Sequence, residues 1–399
     1  MSDRNIIQKA MEQGRGVMRL APNWVPRAFC RSGRRLRLHP DDYFALGTER
    51  GGIDERWFSS TTPADNGPGT PENQGLSFIV TEEGEQARLI DAVSEFKGEV
   101  IGDALYAKYG RWPMYSKFFD NKGPLPHHIH HNDEYAAKVG EAGKPEMYFF
   151  PAQYNNVYGG ELPFTFFGFN PGTTKEQVRD ALAAFTKRDN KLVSLSRAYA
   201  IDVDTGWDVP PGVMHAPASM CTYEPQFASD VYAMYQSVLY FDHVVGEDLL
   251  WKNCPKEHIG DFDYLVEVMD WEMNLDPMFY QNRRMTPQPV ADMAEMQKEG
   301  YIDEWICYKC DLLGARRYTV LPGCTATLKD DVAYGLICVQ GFGTINGMEL
   351  SSPNMIRFGQ LTHDEYFVTE SASKDGVTFT NLSKSEPLVI LRHFARRPE

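Results

Sequence analysis

The stretch Leu125-Pro126-His127-His128-Ile129-His130-His131 places four of the ten histidines of this 399-residue chain within five positions. If it forms a β-strand, residues two apart point to the same face, about 6.6 Å from each other. His128 and His130 form the only histidine pair with that spacing, whereas His127 and His131 share the opposite face about 13 Å apart. Neutral imidazoles two apart on a strand offer two ligands to a divalent transition metal. We therefore predict that His128 and His130 bind a metal ion and that the other two do not.

Two further ligands are expected from segments downstream. In Val209-Pro-Pro-Gly-Val-Met-His215 a rigid Pro-Gly turn is followed by a histidine, which delivers a third imidazole from a neighbouring strand. A carboxylate would complete the set, and both Glu134 and Glu146 are candidates. Glu134 lies in a polar stretch typical of a loop or short helix, whereas Glu146 opens a strand-like run. The strand favours Glu146, and Glu134 stays open as the alternative.

The charge balance restricts the class of partner. Lys and Arg number 40 and Asp and Glu 55, which gives a net charge of −15. This disfavours nucleic acid and anionic membranes, because both reward a basic surface. The N-terminus lacks an apolar secretory segment, no apolar run reaches the roughly 18 residues of a membrane span, and the seven cysteines are scattered. We expect a cytoplasmic protein with no membrane partner that acts on a small molecule; a homodimer stays open.

Short β-like runs broken by Gly and Pro fill residues 111–245 and recur from residue 316, with helical patterns between them. One helix interrupts the first set, and Thr174 followed by Glu176 and Gln177 is typical of its N-terminus. The pattern predicts a mainly β chain with two barrels and a helical connector. The predicted units are an N-terminal extension at residues 1–50, a metal-binding domain with a helical insertion at 51–245, the connector at 246–315 and a C-terminal domain at 316–399.

The ordered motifs resemble those of a known family. A His-x-His pair, a Glu and then Pro-x-Gly-x-x-His resemble the cupin superfamily, and the detailed spacing resembles its type I mannose-6-phosphate isomerases. Lys144-Pro-Glu146 matches that family's Lys-Pro-Glu, whose Glu is a metal ligand, and the segment ending in His215-Ala216 matches its Pro-x-Gly-x-x-His-Ala. The other segments that carry the resemblance are Ile53-Asp-Glu-Arg-Trp57, Pro113-Met-Tyr-Ser-Lys117, Gly168-Phe-Asn-Pro171, Tyr223-Glu-Pro-Gln226 and Ser229-Asp230.

The resemblance implies two cupin jelly-roll β-barrels with α-helical insertions, the C-terminal one degenerate and without ligands. It also implies one divalent metal ion, with zinc expected and manganese, iron or nickel as alternatives. Two departures bear on function. His128 stands where the family has a Gln ligand, and a set of three histidines and one glutamate is compatible with a metal other than zinc. Met234 stands about where the family carries an Arg near the substrate, which weakens an assignment to mannose 6-phosphate.

The function that these residues favour is a metal-dependent aldose–ketose isomerase that acts on a sugar or sugar phosphate by enediol proton transfer. Lys144, two residues before a ligand, is the first candidate for the base or charge stabiliser; Lys117 and Glu55 are further catalytic candidates, mostly from the resemblance. Trp57, Tyr148 and Glu224 are predicted to contact the sugar. The alternatives are another metal-cupin reaction on a carbohydrate, such as epimerisation, lyase chemistry or oxygenation, and a metal-containing sugar-binding protein without turnover.

Overall fold

A computed structural model describes residues 3–155, 163–217, 220–239, 243–396 and 398. Within this part of the chain the protein is mainly β and all strand pairs in its four sheets are antiparallel, as the sequence predicts. None of the helices in the described ranges is long and apolar enough to cross a membrane. Elements are numbered in chain order.

A seven-stranded sheet carries most of the charged residues near the histidines. Its strands, in spatial order, are β15 (Arg284–Met285), β11 (Gly206–Val209), β8 (Glu146–Phe149), β13 (Thr222–Phe227), β6 (Met114–Phe119), β3 (Ile53–Phe58) and β2 (Asn23–Pro26). Strands β3, β6, β8 and β13 are buried at every position, because this sheet is covered on both faces. Because side chains alternate along a strand, Glu55 and Trp57 of β3 share one face of this sheet, and Arg56 and Phe58 share the other.

A five-stranded sheet packs against the face of the seven-stranded sheet that carries Glu55 and Trp57. It contains His128 and His215, and His130 directly follows one of its strands. Its strands are β10 (Ser196–Ala200), β9 (Phe164–Phe169), β12 (His215–Ala216), β7 (His128–Ile129) and β14 (Ala233–Met234). Phe167 of this sheet contacts Tyr148 and Trp207 of the other, with ring centroids 6.1 and 4.9 Å apart. The space between these two sheets is where the candidate site lies.

A nine-stranded sheet and a four-stranded sheet form the rest of the β structure. The nine-stranded order is β16 (Gln288–Pro289), β17 (Tyr301–Cys307), β18 (Gly314–Val320), β25 (Leu388–Phe394), β20 (Tyr334–Gln340), β23 (Glu365–Val368), β1 (Val17–Leu20), β4 (Phe78–Val80) and β5 (Gln86–Arg88). The four-stranded order is β19 (Thr325–Leu328), β24 (Val377–Asn381), β21 (Phe342–Ile345) and β22 (Met348–Ser351). One apolar core joins the nine-stranded sheet to the seven-stranded sheet, and another joins it to the four-stranded sheet.

The helices are short and lie outside the sheets. They are α1 (Asp3–Gly14), α2 (Leu89–Phe96), α3 (Gly98–Ile101), α4 (Asp103–Tyr109), α5 (Asp133–Ala137), α6 (Lys175–Ala183), α7 (Glu247–Leu250), α8 (Phe262–Glu267), α9 (Trp271–Leu275), α10 (Phe279–Arg283), α11 (Met293–Lys298) and α12 (Glu370–Asp375). Short 3-10 turns cover Pro40–Asp42, Thr48–Arg50, Leu192–Leu195 and Lys256–His258. The predicted N-terminus of α6 is confirmed: Thr174 and Gln177 form a reciprocal capping box.

Two strands from the N-terminal 50 residues belong to the larger sheets. Strand β2 pairs with β3 in the seven-stranded sheet, and β1 pairs with β23 in the nine-stranded sheet. The nine-stranded sheet thus combines residues from both ends of the chain, because β1 lies between β23 and β4. The domain boundaries at residues 50, 245 and 315, and the division into two barrels, stay predictions.

Candidate metal centre

Strand register brings the distant histidines together. His215 of β12 pairs directly with His128 of β7, and their ring centroids lie 4.1 Å apart. The His130 ring lies 5.1 Å from the His128 ring and 5.0 Å from the His215 ring. One nitrogen from each of the three buried imidazoles can be chosen so that all lie within 4.8 Å of one another. This grouping is the arrangement predicted for a single metal ion.

Each of these imidazoles is oriented through its Nδ1 atom. The Nδ1 atoms of His128, His130 and His215 lie 2.7, 2.8 and 2.8 Å from the backbone carbonyls of Pro126, Val231 and Val213. A carbonyl only accepts, so each Nδ1 carries the proton and donates it. The Nε2 atoms are then left with lone pairs for a ligand. Metal-binding histidines are typically held in this way, because the outer hydrogen bond selects the tautomer and the ring orientation.

Glu146, at the start of β8, supplies the carboxylate. Its Oε2 lies 3.0 Å from His130 Nε2, and its Oε1 lies 3.2 Å from His215 Nε2. Neither Glu146 Oε2 nor His215 Nε2 makes a hydrogen bond, although both atoms are fully buried. Buried polar atoms without partners are costly unless something else satisfies them. Three imidazole nitrogens and one carboxylate are a donor set that fits a divalent transition metal. Glu134, the alternative carboxylate, is exposed on α5.

Burial keeps the site in the protonation state that a metal requires. It lowers the pKa of His130 to about 4 and, together with the adjacent His215 and His130, lowers the pKa of His128 well below its usual value. Burial alone would raise the pKa of Glu146, but His130 and Lys144 outweigh it and lower that pKa well below the usual range. At neutral pH His128 and His130 are thus neutral and Glu146 is ionised, so no proton has to leave these two histidines on binding.

The candidate catalytic residue Lys144 lies beside this cluster, and Lys117 forms a second charged group with Glu55 and Glu224. Lys144 Nζ is 3.3 Å from His130 Nε2 and 3.5 Å from Glu146 Oε2, and the residue is buried. Lys117 Nζ lies between two carboxylates, 3.4 Å from Glu55 and 3.3 Å from Glu224. Lys144, Lys117, Glu55 and Glu224 are all buried and linked through these contacts to the residues around the histidines.

The carboxylates of this group are in different electrostatic environments. Burial opposes ionisation of Glu55, but Arg27 and Lys117 outweigh it and lower its pKa to about 2. Burial, reinforced by the charge of Glu146, raises the pKa of Glu224 well above its usual value. Neighbouring carboxyl groups with divergent pKa values are typical of acid–base sites.

Arg27 is a site residue that the sequence did not reveal. Its guanidinium is buried, with Nε 3.3 Å from Glu55 Oε2 and Nη2 3.4 Å from Asp230 Oδ1. It belongs to the N-terminal 50 residues, in which no motif distinguishes it from the other arginines. No strand period indicates it either, because Arg27 follows β2 beyond a register shift between Val25 and Pro26.

The predicted aromatic sugar contacts are not available at the surface. Trp57 is fully buried, stacks on Tyr115 with centroids 4.5 Å apart, and donates from Nε1 to Glu55. Tyr148 is also fully buried and donates its hydroxyl to Glu146. Both rings pack the interior between the sheets, and each orients a carboxylate rather than presenting a free face to a ligand.

The remaining histidines and Met234 complete the placement of the predicted residues. His127 is buried, and its Nδ1 lies 2.6 Å from the side-chain oxygen of Gln236. His131 is also buried. Neither belongs to the three-histidine group, consistent with the strand-face prediction. Met234 pairs with His128 across β14 and β7 and is buried, so an apolar side chain adjoins the metal strand at that point.

Comparison with known proteins identifies the fold. No family model matches the sequence, and no curated protein matches it. Among solved structures, mannose 6-phosphate isomerase from Bacillus subtilis aligns over 95% of this chain and 99% of its own, at 15% identity and a TM-score of 0.63. The fold is that of the mannose-6-phosphate isomerases. A mutant of phosphomannose isomerase from Salmonella typhimurium (14% identity, 96% and 100% coverage, TM-score 0.63) and a zinc-bound mannose 6-phosphate isomerase (14%, 96% and 100%, TM-score 0.62) align similarly.

Proposed function

We propose that this protein is a metal-dependent aldose–ketose isomerase that acts on a sugar or a sugar phosphate. The convergence of three buried imidazoles and Glu146, with Lys144 beside them, is the observation that carries the proposal. The fold shared with mannose 6-phosphate isomerases supports it. His128, His130, His215 and Glu146 would hold one divalent ion, with zinc expected from the zinc-bound neighbour.

The chemistry requires a group that moves a proton between C1 and C2 and a site that stabilises negative charge on the sugar oxygens. The bound ion supplies Lewis acidity for that charge. Lys144 is held by Glu146 and by His130, close enough to the ligand atoms to act on a sugar carbon bound beside them. Lys117, Glu55 and Glu224 form a second proton-carrying group, in which Glu224 holds a proton more readily than Glu55.

Metal analysis and isotope exchange test this proposal. The purified protein is expected to contain about one divalent ion per chain, and His215→Ala is expected to lose it, whereas His258→Ala, at a partly exposed position outside the three-histidine group, keeps it. In deuterated water, a panel of free and 6-phosphorylated aldoses is followed by proton NMR. Isomerisation with deuterium entering C2 supports the proposal. A metal-loaded protein that causes neither isomerisation nor exchange with any aldose would rule out isomerase activity.

A second candidate is metal-dependent oxygenation of a carbohydrate. The specific observation in its favour is the third imidazole, His128, which together with Glu146 makes a donor set suited to iron as well as to zinc. Iron in the purified protein together with sugar-dependent oxygen consumption would favour oxygenation. Zinc, or activity that persists without oxygen, would favour isomerisation.

A further inference from the structure

A cavity lies beside the segment that follows Arg27, since Ala28 and Phe29 line it. It has a volume of about 590 Å³, within the range of small-molecule pockets. Asn66, in its wall, accepts a hydrogen bond from Arg27 Nη1 at 3.0 Å. Tyr232, also in the wall, directly follows Val231, whose carbonyl orients His130. The cavity wall thus contains a hydrogen-bond partner of Arg27 and the residue that follows the carbonyl orienting His130.

Three cations near this space, Arg27, Lys117 and Lys252, are already paired with carboxylates. Arg27 contacts Glu55 and Asp230, and Lys117 contacts Glu55 and Glu224. Lys252, in the cavity wall, lies 2.9 Å from Asp65 and 3.1 Å from the Tyr232 hydroxyl. A dianionic phosphate placed here would have to displace one of these carboxylates or remain close to it. At Arg27 and Lys117 either change costs free energy, because Glu55, Glu224 and Asp230 have little exposed surface and a displaced one is left without its partner.

The cavity lining itself has balanced charge. Two of its residues are cationic, Arg50 and Lys252, and two are carboxylates, Glu49 and Asp248. Arg50 donates to the amide oxygen of Gln74 at 2.6 Å. The remaining wall is supplied by the rings of Phe29 and Tyr232, by small residues and by the polar groups of Asn66 and Thr70. Aromatic rings with a few amide and hydroxyl groups suit an uncharged polyol.

From these contacts we infer that the substrate is an uncharged sugar, a free aldose rather than a sugar phosphate, and that its distal part occupies this cavity. The inference rests on the proposed isomerase function and restricts its substrate class. A divalent ion at the histidines would add positive charge beside Glu146, but it would leave the ion pairs of Arg27 and Lys252 intact. The selectivity thus depends on those pairs rather than on the ion.

Paired substrates test the inference on the full-length, metal-loaded protein. Mannose and glucose are compared with their 6-phosphates for turnover by NMR and for binding by calorimetry. We expect kcat/KM, or the affinity where turnover is absent, to be at least tenfold higher for the free sugars. Preference for the phosphates with turnover would overturn the inference and leave the isomerase proposal standing. Binding of free sugar without turnover would support the inference and overturn isomerisation. Absence of both binding and turnover would overturn both.

Two matched variants test the ion-pair argument. Asp230→Asn removes one carboxylate partner of Arg27, and we expect the 6-phosphates to gain at least fivefold in affinity relative to the free sugars. Asp248→Asn removes the same charge from the cavity lining without touching Arg27 and is expected to change that ratio less than twofold. Equal changes in the two variants would overturn the role of the Arg27 pairs.

Tyr232→Ala tests whether the cavity binds the sugar. It is expected to raise KM for free sugars at unchanged metal content, and an unchanged KM would show that the cavity is not part of the binding site.

Discussion

The side chains of the candidate site depend on hydrogen bonds made away from the space where a ligand would bind. His128 and His215 donate to carbonyls two residues earlier in their own segments, whereas His130 donates to Val231 on a neighbouring one. The carboxylates are oriented by aromatic donors: the Tyr148 hydroxyl donates to Glu146, and the Trp57 ring N–H donates to Glu55. A buried carboxylate with fixed donors keeps both its charge and its position. The site is thus organised before any ligand binds.

Lys144→Met tests the proposed proton-transfer role at the residue scale. The substitution keeps an unbranched side chain in a buried position but removes the ammonium group beside Glu146. We expect kcat to fall by about 100-fold or more, the usual contribution of general acid–base catalysis, while the metal content measured by mass spectrometry stays unchanged. Lys138→Met, at an exposed position, serves as the control. If the Lys144 variant kept kcat within threefold, the role would pass to Lys117 and Glu55.

At the scale of elements, short β strands position the ligands and a helix layer covers them. Strand β7 is only two residues long, yet it pairs on one side with β12 and on the other with β14. An apolar core of Ile129, Met214, Leu182 and neighbouring residues connects this sheet to α6 and α8. Because β7 makes few ladder hydrogen bonds of its own, its position relies on packing from the helix side.

Substitutions at the N-cap of α6 test how much this helix contributes to the free energy of unfolding. Thr174→Ala removes the side-chain acceptor for the Gln177 backbone N–H, and we expect it to lower the free energy of unfolding by about 1 kcal/mol in denaturant titrations. Thr174→Ser keeps a hydroxyl at the cap and is expected to stay close to the unsubstituted protein. Equal stability of the alanine and serine variants would show that the cap contributes nothing to the fold.

On the scale of the whole molecule, the seven-stranded sheet is a shared middle layer. One face lines the candidate site, and the other packs on the nine-stranded sheet through an apolar core that also contains buried charges. Arg56 makes a bidentate pair with Asp364, both contacts 2.8 Å long, and Glu365 lies 3.4 Å away. All three residues are buried, so the contact is strong only while both partners are present.

Arg56→Leu is the test of that contact. It leaves the carboxyl groups of Asp364 and Glu365 buried without their guanidinium partner, and we expect a loss of about 3–5 kcal/mol in the free energy of unfolding. Arg179→Leu removes an exposed pair with Asp263 and is expected to have no measurable effect. A comparable loss in the two variants would mean that the interface pair adds nothing beyond an ordinary surface contact.

His393 gives the same interface a pH dependence. Burial lowers its pKa to about 3, and the Tyr223 hydroxyl lies within hydrogen-bond distance of its Nδ1, at 2.9 Å. In the unfolded chain this histidine binds a proton near pH 6.5, whereas in the folded chain it stays neutral down to about pH 3. Its contribution to the free energy of unfolding is therefore fully present above pH 6.5 and is lost as the pH falls toward 3. At pH 5 this residue alone lowers the free energy of unfolding by about 2 kcal/mol relative to pH 8.

The measurement compares the unsubstituted protein with His393→Gln in denaturant titrations at pH 5 and pH 8, both after removal of metal. The variant is expected to lose about 2 kcal/mol less over that interval, whatever its stability at pH 8. His258→Gln, which removes a partly exposed imidazole, serves as the control. The same pH dependence in all three proteins would exclude His393 as the titrating group.

Local patterns in the sequence were enough for part of the site. A period of two selected His128 and His130 and set aside His127 and His131, and the same period oriented Lys144 with Glu146. The α6 cap followed from the chemistry of Thr174 and Gln177. Long-range features were not accessible in this way. Nothing near Arg27 indicates that Glu55 and Asp230 will be its partners, because those contacts depend on the pairing of β2 with β3.

The sequence by itself determined the mainly β character and the candidate ligands, because alternation and turn chemistry act over a few residues. Only the tertiary structure decided that His215 pairs with His128, that Glu146 rather than Glu134 reaches the imidazoles, and that Trp57 and Tyr148 are sealed in the interior. Register and sheet stacking set these outcomes. Both result from packing between segments far apart in the chain, for which no local pattern carries a signal.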